Sequence, residues 1–503
     1  VIRTLLVANR GEIALRVVRA ARELGIRTAA VFADDDARAA HVEEADIAIP
    51  LAGESPRETY LAPNAMIAAA RQARADALHP GYGFLSESDA FASAVRDAGI
   101  VFVGPSPEAM AAVGSKTAAK RIAENAGVPT IPWTDGAALD GKALAKAAAA
   151  IGYPLLVKAS AGGGGRGMRI VEREADLAAA VGAARAEASA AFGDGAIFLE
   201  KLLVSPRHIE VQILGDAAGH VVHLFERECS IQRRHQKLVE EAPSPFASRE
   251  LRERLTSAAV AIARATGYSN AGTVEFLVEP DGTFYFIEVN ARLQVEHPVT
   301  EAITGVDLVA WQLRIAGGEA LALRQDEIVP RGHAIECRLI AEDAANGFVP
   351  ASGAVRRLRF PAGPGVRVDS GLREGSVIST RYDSLLAKVI AHAEDRNAAI
   401  RRMERALCES IFLGLPTNLA FLAALVSHDA FRRGETTIDF LTRYSAELNR
   451  EPSIERREIV AIALFEAMRH ELDRATIGAD GAAGDGAALR DPWDLVRDTR
   501  CGL

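Results

Sequence analysis

Between residues 272 and 297 the sequence spaces acidic, amide and cationic side chains so that they could hold a cation and a small anion together. The stretch Gly272-Thr273-Val274-Glu275-Phe276-Leu277-Val278-Glu279 is followed by Pro280-Asp281-Gly282-Thr283 and then by Phe284-Tyr285-Phe286-Ile287-Glu288-Val289-Asn290. The outer parts alternate as strands do and the middle is turn chemistry, which predicts a hairpin continuing into an extended chain. With the four turn residues as the loop, Glu279 pairs with Phe284 and, counting outward, Glu275 faces Glu288. Two facing carboxylates repel unless a cation sits between them. Hard oxygen ligands of this kind suit a magnesium ion that keeps waters and nucleotide phosphates as its other ligands. Period-two alternation beyond Glu288 puts Asn290, Arg292, Gln294 and Glu296 on that same side. An exposed amphipathic strand also alternates in this way, although a solvated face would intersperse lysines and threonines among such groups.

A framework must position these groups. The chain has 503 residues, 49% hydrophobic and 25% charged, enough for two to four domains with substantial cores. Its net charge of −9 and lack of a long basic run argue against nucleic acid or an anionic membrane surface as partner, so any anion site must be built locally. Cys229, Cys337, Cys408 and Cys501 are scattered without zinc-ligand spacing, which fits a reducing compartment. No apolar run is long enough to span a bilayer, and the first residues already read as a strand, not a signal peptide; a cytoplasmic protein is expected. Short apolar runs at 5–8, 27–32, 46–49, 75–78 and 100–103 alternate with helical stretches such as 12–24, the pattern of a parallel α/β layer. In that helix Ile13, Val17, Ala21 and Leu24 form the buried stripe. Glu12, Arg16, Arg19 and Glu23 share another face, expected to be solvated, with a subunit contact as the alternative.

A helix over 107–126 leads to a second unit centred on Tyr153 to Val171, where a strand enters the glycine run Gly162 to Gly167 and a strand leaves it. Glycines let backbone amides approach phosphate oxygens. A dinucleotide fingerprint or a Walker-type loop needs a helix after the glycines, so this loop reads as a flap over a nucleotide, as in kinases and ATP-grasp enzymes; a floppy surface hairpin also fits. Lys158, ending the preceding strand, favours the flap because a cation there can reach the same phosphates. Lys116, in Ser115-Lys116-Thr117, falls near the middle of the predicted helix and by itself reads as solvated. Phe198 to Leu203 could border a purine pocket, though an ordinary strand is the simpler reading. The segment Glu226 to Lys237 is too dense in charge to be a core strand. It could neutralise phosphates or a small anion, or be a solvated loop. Glu336 and Arg338 point the same way on an alternating run, which a structural salt bridge would explain.

Together, Ala8-Asn9-Arg10-Gly11-Glu12-Ile13-Ala14, His79-Pro80-Gly81-Tyr82-Gly83-Phe84-Leu85-Ser86-Glu87, Lys158 through Met168, Gln232-Arg233-Arg234-His235-Gln236-Lys237, Glu288 to Thr300 and Glu336-Cys337-Arg338 resemble the biotin carboxylase family of ATP-grasp enzymes, over about residues 2–446. The resemblance implies an ATP-grasp α/β fold: an N-terminal parallel α/β domain (1–113), a connecting helix and glycine-flap lid (114–203), a C-terminal α+β domain (204–446), and a helix, flexible linker and the start of a carrier-tethering region (447–503). It implies an ATP site of Lys116, Lys158, Gly164, Gly165, Glu200, Lys201, Leu203, His208, Gln232, His235 and Leu277, and magnesium ligands Glu275, Glu288 and Asn290, with manganese as a substitute. It further implies a bicarbonate pocket of Lys237, Arg292, Gln294 and the Val295 amide, with Glu296 as general base, Arg338 stabilising a ureido enolate and Tyr82 on the biotin side. Ala291 and Leu293 are expected to point away from this face.

The implied activity is ATP- and bicarbonate-dependent carboxylation of N1′ of biotin through carboxyphosphate. Nothing like the Ala/Val-Met-Lys-Met segment that carries biotin occurs, since Ala467-Met468-Arg469 lacks the lysine; the biotin carboxyl carrier is expected from another protein or domain, alongside a carboxyltransferase. The tail, with Asp491-Pro492-Trp493, resembles that of an acyl-CoA carboxylase α chain of methylcrotonoyl-, propionyl- or acetyl-CoA type. Arg16, Arg19 and Glu23 correspond to a dimer surface in free-standing relatives, so a homodimer or a larger complex is expected. Alternatives are an ATP-grasp ligase of another class or a catalytically silent ATP-binding scaffold.

Overall fold

The computed structural model describes residues 2–135, 141–160 and 168–448. The first strands are β1 (Thr4–Val7), β2 (Arg27–Phe32), β3 (Ile47–Pro50), β4 (Ala77–His79) and β5 (Val101–Phe102). They form a sheet of order β3-β2-β1-β4-β5 in which every pair is parallel, as expected. A parallel sheet must be covered on both faces. Alternation along β1 does this: Leu5 and Val7 pack with Ile13, Val17 and Ala21 of helix α1 (Gly11–Glu23), while Leu6 packs with Met66, Phe91 and Val95. The loop after β1 with the first turn of α1, and the loop after β4, at the carboxyl ends of parallel strands where such sheets bind ligands, carry Asn9 to Ile13 and Tyr82 to the central cleft. The charged face of α1 differs from its expected solvation. Glu12 is buried, and Arg16 pairs with Glu301 at 2.9 Å and Asp307 at 2.8 Å, while Arg19, paired with Glu44, and Glu23 are exposed.

The helix expected over 107–126 is two helices, Pro107–Gly114 and Lys116–Asn125. Ser115 has extended backbone and its hydroxyl accepts from the Ala118 amide, so it caps the second helix and breaks the run. Lys116 is therefore the first residue of a helix facing the cleft. A four-stranded antiparallel sheet follows, with β6 (Trp133–Asp135), β7 (Leu155–Ala159), β8 (Arg169–Val171) and β9 (Ile197–Lys201) in the order β6-β9-β7-β8. Its apolar side packs on the helices Gly141–Ile151 and Glu174–Phe192 through Leu144, Ala148, Leu177 and Val181. Strands β7 and β8 pair across the glycine segment as expected; Gly162 to Gly167 lie outside the described residues.

The largest sheet has eight strands, all antiparallel: β10 (Arg207–Gly215), β11 (Val221–Arg233), β12 (Gln236–Ala242), β13 (Asn270–Val278), β14 (Phe284–Asn290), β15 (His333–Ile340), then Val366–Ser370 and Leu385–Ala393. Their order is β14-β13-β10-β11-β12-β15, followed by Leu385–Ala393 and Val366–Ser370. One face sends Ile209, Val211, Val274, Phe276 and Phe286 against Leu255, Ala259 and Ile262 of helix Arg249–Ala265. The alternate residues His208, Glu275, Lys237 and Glu288 face the cleft.

The segment Glu226 to Arg233, read as too charged for a core strand, lies in β11 near the middle of this sheet. Its charged groups are paired or hydrogen-bonded by partners from other elements. Arg227 donates to Glu210 at 2.6 Å, Glu226 accepts from Arg252 at 2.8 Å, and Glu228 accepts from Ser244 at 2.7 Å. Among the described residues no helix is long and apolar enough to cross a membrane. The expected helix, linker and tethering segment at 447–503 fall, beyond Leu448, outside the described residues.

Candidate active site

Strands β13 and β14 bring Glu275 and Glu288 opposite one another, as the alternation predicts, but the turn between them is shorter than expected. The Glu279 amide donates to the Thr283 carbonyl at 2.8 Å, which closes a loop of Pro280, Asp281 and Gly282 with Gly282 left-handed at φ +81°. A three-residue hairpin loop with glycine at that position is a favoured connection. Val278 therefore pairs with Phe284, where Glu279 was expected. A bulge at Ile287 then restores the register, so that Glu275 pairs with Glu288 after all. The bulge turns Ile287 toward the cleft as well.

Strand geometry ends at Asn290. The residues beyond it are irregular where an extended chain was expected, yet Asn290, Arg292, Gln294 and Val295 still line the cleft. Arg292 donates to Asn290 Oδ1 at 3.0 Å and Gln294 Oε1 at 2.8 Å, and pairs with Glu87 at 3.2 Å. Ala291 and Leu293 are buried in apolar clusters, as expected.

Lys237 is the hub of the site. Strand β11 turns into β12 through Arg234 and His235, both with positive φ, a two-residue hairpin that sets His235 at the mouth of the cleft. Two residues on, Lys237 donates to Glu275 at 2.8 Å, to Glu296 at 2.7 Å and to Glu210. Burial opposes its charge, but these three carboxylates hold the ammonium well above the usual lysine range. Arg338 on β15 donates to Glu240 at 2.6 Å and to Glu296 Oε2 at 2.9 Å. Both oxygens of the fully buried Glu296 thus meet cations. Burial alone would favour its neutral form, yet Lys237, Arg338 and Arg227 hold it well below the usual carboxylate range. The salt bridge expected between Glu336 and Arg338 is not formed, because the guanidinium turns to Glu240 and Glu296.

At the other end, Lys158 on β7 and Lys120 flank the buried Glu200, and burial raises the carboxyl less than the two ammonium groups lower it. Lys116, Lys201, Leu203 and Leu277 line the same end, and Gln232 contacts His208 Nδ1 at 2.8 Å. His208 Nε2 lies 3.1 Å from Glu275. Gly164 and Gly165 fall outside the described residues. Tyr82 donates to Glu12, and Lys388 lies 3.3 Å from the same carboxylate and donates to the Val295 carbonyl at 3.0 Å.

The described site residues surround a cleft of about 1010 Å³; of the expected set only Glu296 stands behind its wall, reached through Lys237 and Arg338. The donor set of Glu275, Glu288 and Asn290 fits a hard divalent cation. Among the described residues the Glu288 carboxylate pairs only with Lys116, at 3.8 Å, while burial and then the charge of Glu275 push its proton affinity up, so added positive charge would stabilise the ionised pair.

The sequence reading missed Glu210, Lys120, Glu240 and Lys388. Glu210 alternates with His208 and Gln212, and Lys120 follows Lys116 by one helical turn; both periodicities were available. Lys388 lies in an apolar run and Glu240 stands beside Glu241, and neither carries such a signal.

Residues 1–110 match the family described as biotin carboxylase, N-terminal domain; residues 115–324 match carbamoyl-phosphate synthase L chain, ATP binding domain; and residues 336–443 match biotin carboxylase C-terminal domain. A mitochondrial methylcrotonoyl-CoA carboxylase subunit alpha of Oryza sativa subsp. japonica is 49% identical over 446 residues, covering 88% of this chain and 60% of that protein. The chain thus spans about three fifths of that relative. A biotin carboxylase of Halalkalibacterium halodurans is 48% identical over 440 residues, 88% of this chain and 97% of that one. Among solved structures, the biotin carboxylase domain dimer of Hydrogenobacter thermophilus 2-oxoglutarate carboxylase, in complex with MgADP, ADP and bicarbonate, superimposes with a TM-score of 0.87 at 45% identity, covering 90% of this chain and 99% of that one.

Proposed function

The chain belongs to the biotin carboxylase family of ATP-grasp enzymes, and on that premise we propose that it uses ATP and bicarbonate to carboxylate N1′ of biotin held on a carrier. One observation carries the reading: Lys237 and Arg338 grip the two oxygens of Glu296 at one end of a cleft whose other end holds Lys116 and Lys158.

Lys116, Lys158, Glu200, Lys201, Leu203, His208, Gln232, His235 and Leu277 bind ATP, together with Gly164 and Gly165. Glu275, Glu288 and Asn290 would hold magnesium, which would supply positive charge to neutralise the terminal phosphates. Lys237, Arg292, Gln294 and the Val295 amide hold bicarbonate beside the γ-phosphate. Glu296 takes its proton. The cations keep Glu296 ionised beforehand, and once an anion draws on the same Lys237 their pull on Glu296 is shared and its proton affinity rises. The bicarbonate oxygen attacks the γ-phosphorus, ADP leaves, and carboxyphosphate forms. It breaks to carbon dioxide and phosphate, the phosphate removes the N1′ proton, Arg338 stabilises the anionic ureido oxygen while Tyr82 borders the ring, and N1′ then attacks the carbon of the carbon dioxide to form the N–C bond of carboxybiotin, with protonated phosphate released.

We assign the chain to an acyl-CoA carboxylase, supported by its likeness to the methylcrotonoyl-CoA carboxylase subunit, with a carrier and a carboxyltransferase as partners. The divisions 1–113, 114–203, 204–446 and 447–503 are proposed as its domains. Scattered cysteines, those described being unpaired, support a reducing compartment such as the cytoplasm. The test is ATP hydrolysis by the purified chain: it should depend on both bicarbonate and biotin, and ATP binding without such turnover would indicate a silent scaffold.

A further inference from the structure

The cleft face of β12 and β15 carries two carboxylates that the reaction above leaves unused. Glu240 and Glu336 are register partners, so their side chains leave the ladder on the same face, and both are completely buried. Glu240 Oε1 accepts from Arg338, but Glu240 Oε2 and both oxygens of Glu336 have no hydrogen-bond partner among the described residues. The charged and titratable groups acting on the pair are Arg338 on β15, Lys237 on β12, Lys388 on the strand Leu385–Ala393, Glu296, Tyr82 from the loop after β4, and the buried thiols of Cys229 and Cys337. Lys388 is already shared among Glu12 at 3.3 Å, Asp369 at 3.5 Å and the Val295 carbonyl. Arg338 is already shared between Glu240 and Glu296.

Two adjacent carboxylates in this setting cannot both stay ionised without large mutual repulsion and unpaired buried acceptors. One proton removes a charge and supplies an O–H donor for a neighbouring oxygen. We propose that Glu240 and Glu336 hold one proton between them in the working enzyme, and that this acid pair positions and tunes Arg338 for the biotin half of the reaction. The inference rests on the function proposed above. Burial is the main cause lifting Glu336 well above the carboxylate range and Glu240 to about 7, in line with a proton retained at neutral pH.

With the proton in place, Arg338 faces Glu296 and one further negative charge. Its loss adds a second charge beside the guanidinium, which draws Arg338 toward β12 and opposes an anionic oxygen on the ureido ring. Biotin carboxylation should then fall on the alkaline side earlier than bicarbonate-dependent ATP cleavage, which relies on Lys237 and Arg292. Glu336 acts through Arg338 and is a positioning residue.

The test compares pH–rate profiles of biotin carboxylation and of bicarbonate-dependent ATP cleavage for the wild-type chain and Glu336→Gln, whose amide mimics the protonated acid. The expected result is near-normal turnover at neutral pH, with the alkaline limb of biotin carboxylation moved up by about one pH unit or more. An unmoved limb would overturn the proposal. Infrared difference spectra between neutral and alkaline pH give a reading independent of activity: a protonated-carboxyl stretch should titrate with that limb and be missing in Glu336→Gln. Lack of such a band in the wild-type chain would also overturn the proposal, including where Glu336→Gln fails to fold. Failure of the wild-type chain to carboxylate biotin would remove the proposed function, while the infrared titration would still decide whether the pair holds a proton.

Discussion

Arg338 and Glu296 form an ion pair at 2.9 Å, so the cation assigned to the ureido oxygen and the carboxylate assigned to bicarbonate share one buried contact. The two half-reactions are thereby neighbours, yet they use different groups. Arg338→Gln should depress biotin carboxylation on the order of 10²–10³-fold, the usual loss for one preorganised stabiliser of developing charge. Bicarbonate-dependent ATP cleavage should fall less. Parallel steady-state assays of the two reactions check this, and equal losses would remove the enolate role.

Glu288 is the less neutralised member of the facing pair. Glu288→Gln should weaken magnesium binding in the presence of nucleotide by at least the ~10-fold that even outer partners of a metal site contribute. Calorimetric titration measures it; unchanged affinity would move the metal elsewhere.

Lys237 neutralises three buried carboxylates at once. Lys237→Met should leave Glu210, Glu275 and Glu296 without their shared cation and lower stability by about 3–5 kcal/mol, the range for breaking a buried pair on one side. Chemical denaturation checks the loss. A variant that is merely inactive, with full stability, would mean that the acids relax to other partners.

His79 fixes the loop that carries Tyr82. Its Nδ1 accepts from the Gly81 amide at 2.9 Å, and its Nε2 lies 3.2 Å from Gln312 Oε1. Burial lowers its pKa to about 4, against ~6.5 in the unfolded chain. Between those values the unfolded state binds more protons, so stability rises with pH through this window and is lost as pH falls from ~6.5 toward 4, by on the order of 3 kcal/mol from this group. Thermal unfolding from pH 7 to pH 4.5 should show the decline, and His79→Gln should flatten it.

The facing pair of Glu275 and Glu288 was legible because period-two alternation and turn residues are local signals. The shorter loop and the compensating bulge at Ile287 were not, since Gly282 takes its left-handed conformation one residue before the expected end of the turn. The buried run in β11 was misread for a different reason. Its neutralising partners Glu210 and Arg252 come from other elements, and a charge looks solvated until its counter-charge is placed. Lys116 illustrates an overlooked local signal, because Ser115 is a helix cap and a cap in mid-pattern starts a new helix.

The central claim is that Glu296, held between Lys237 and Arg338, is the base that starts the reaction. The most direct measurement is Glu296→Ala assayed for bicarbonate-dependent ATP hydrolysis beside calorimetric ATP binding. The account predicts nearly unchanged ATP affinity with turnover reduced roughly 10²–10⁴-fold, the span for loss of a general base. Turnover at the wild-type rate, with ATP still bound, would contradict it.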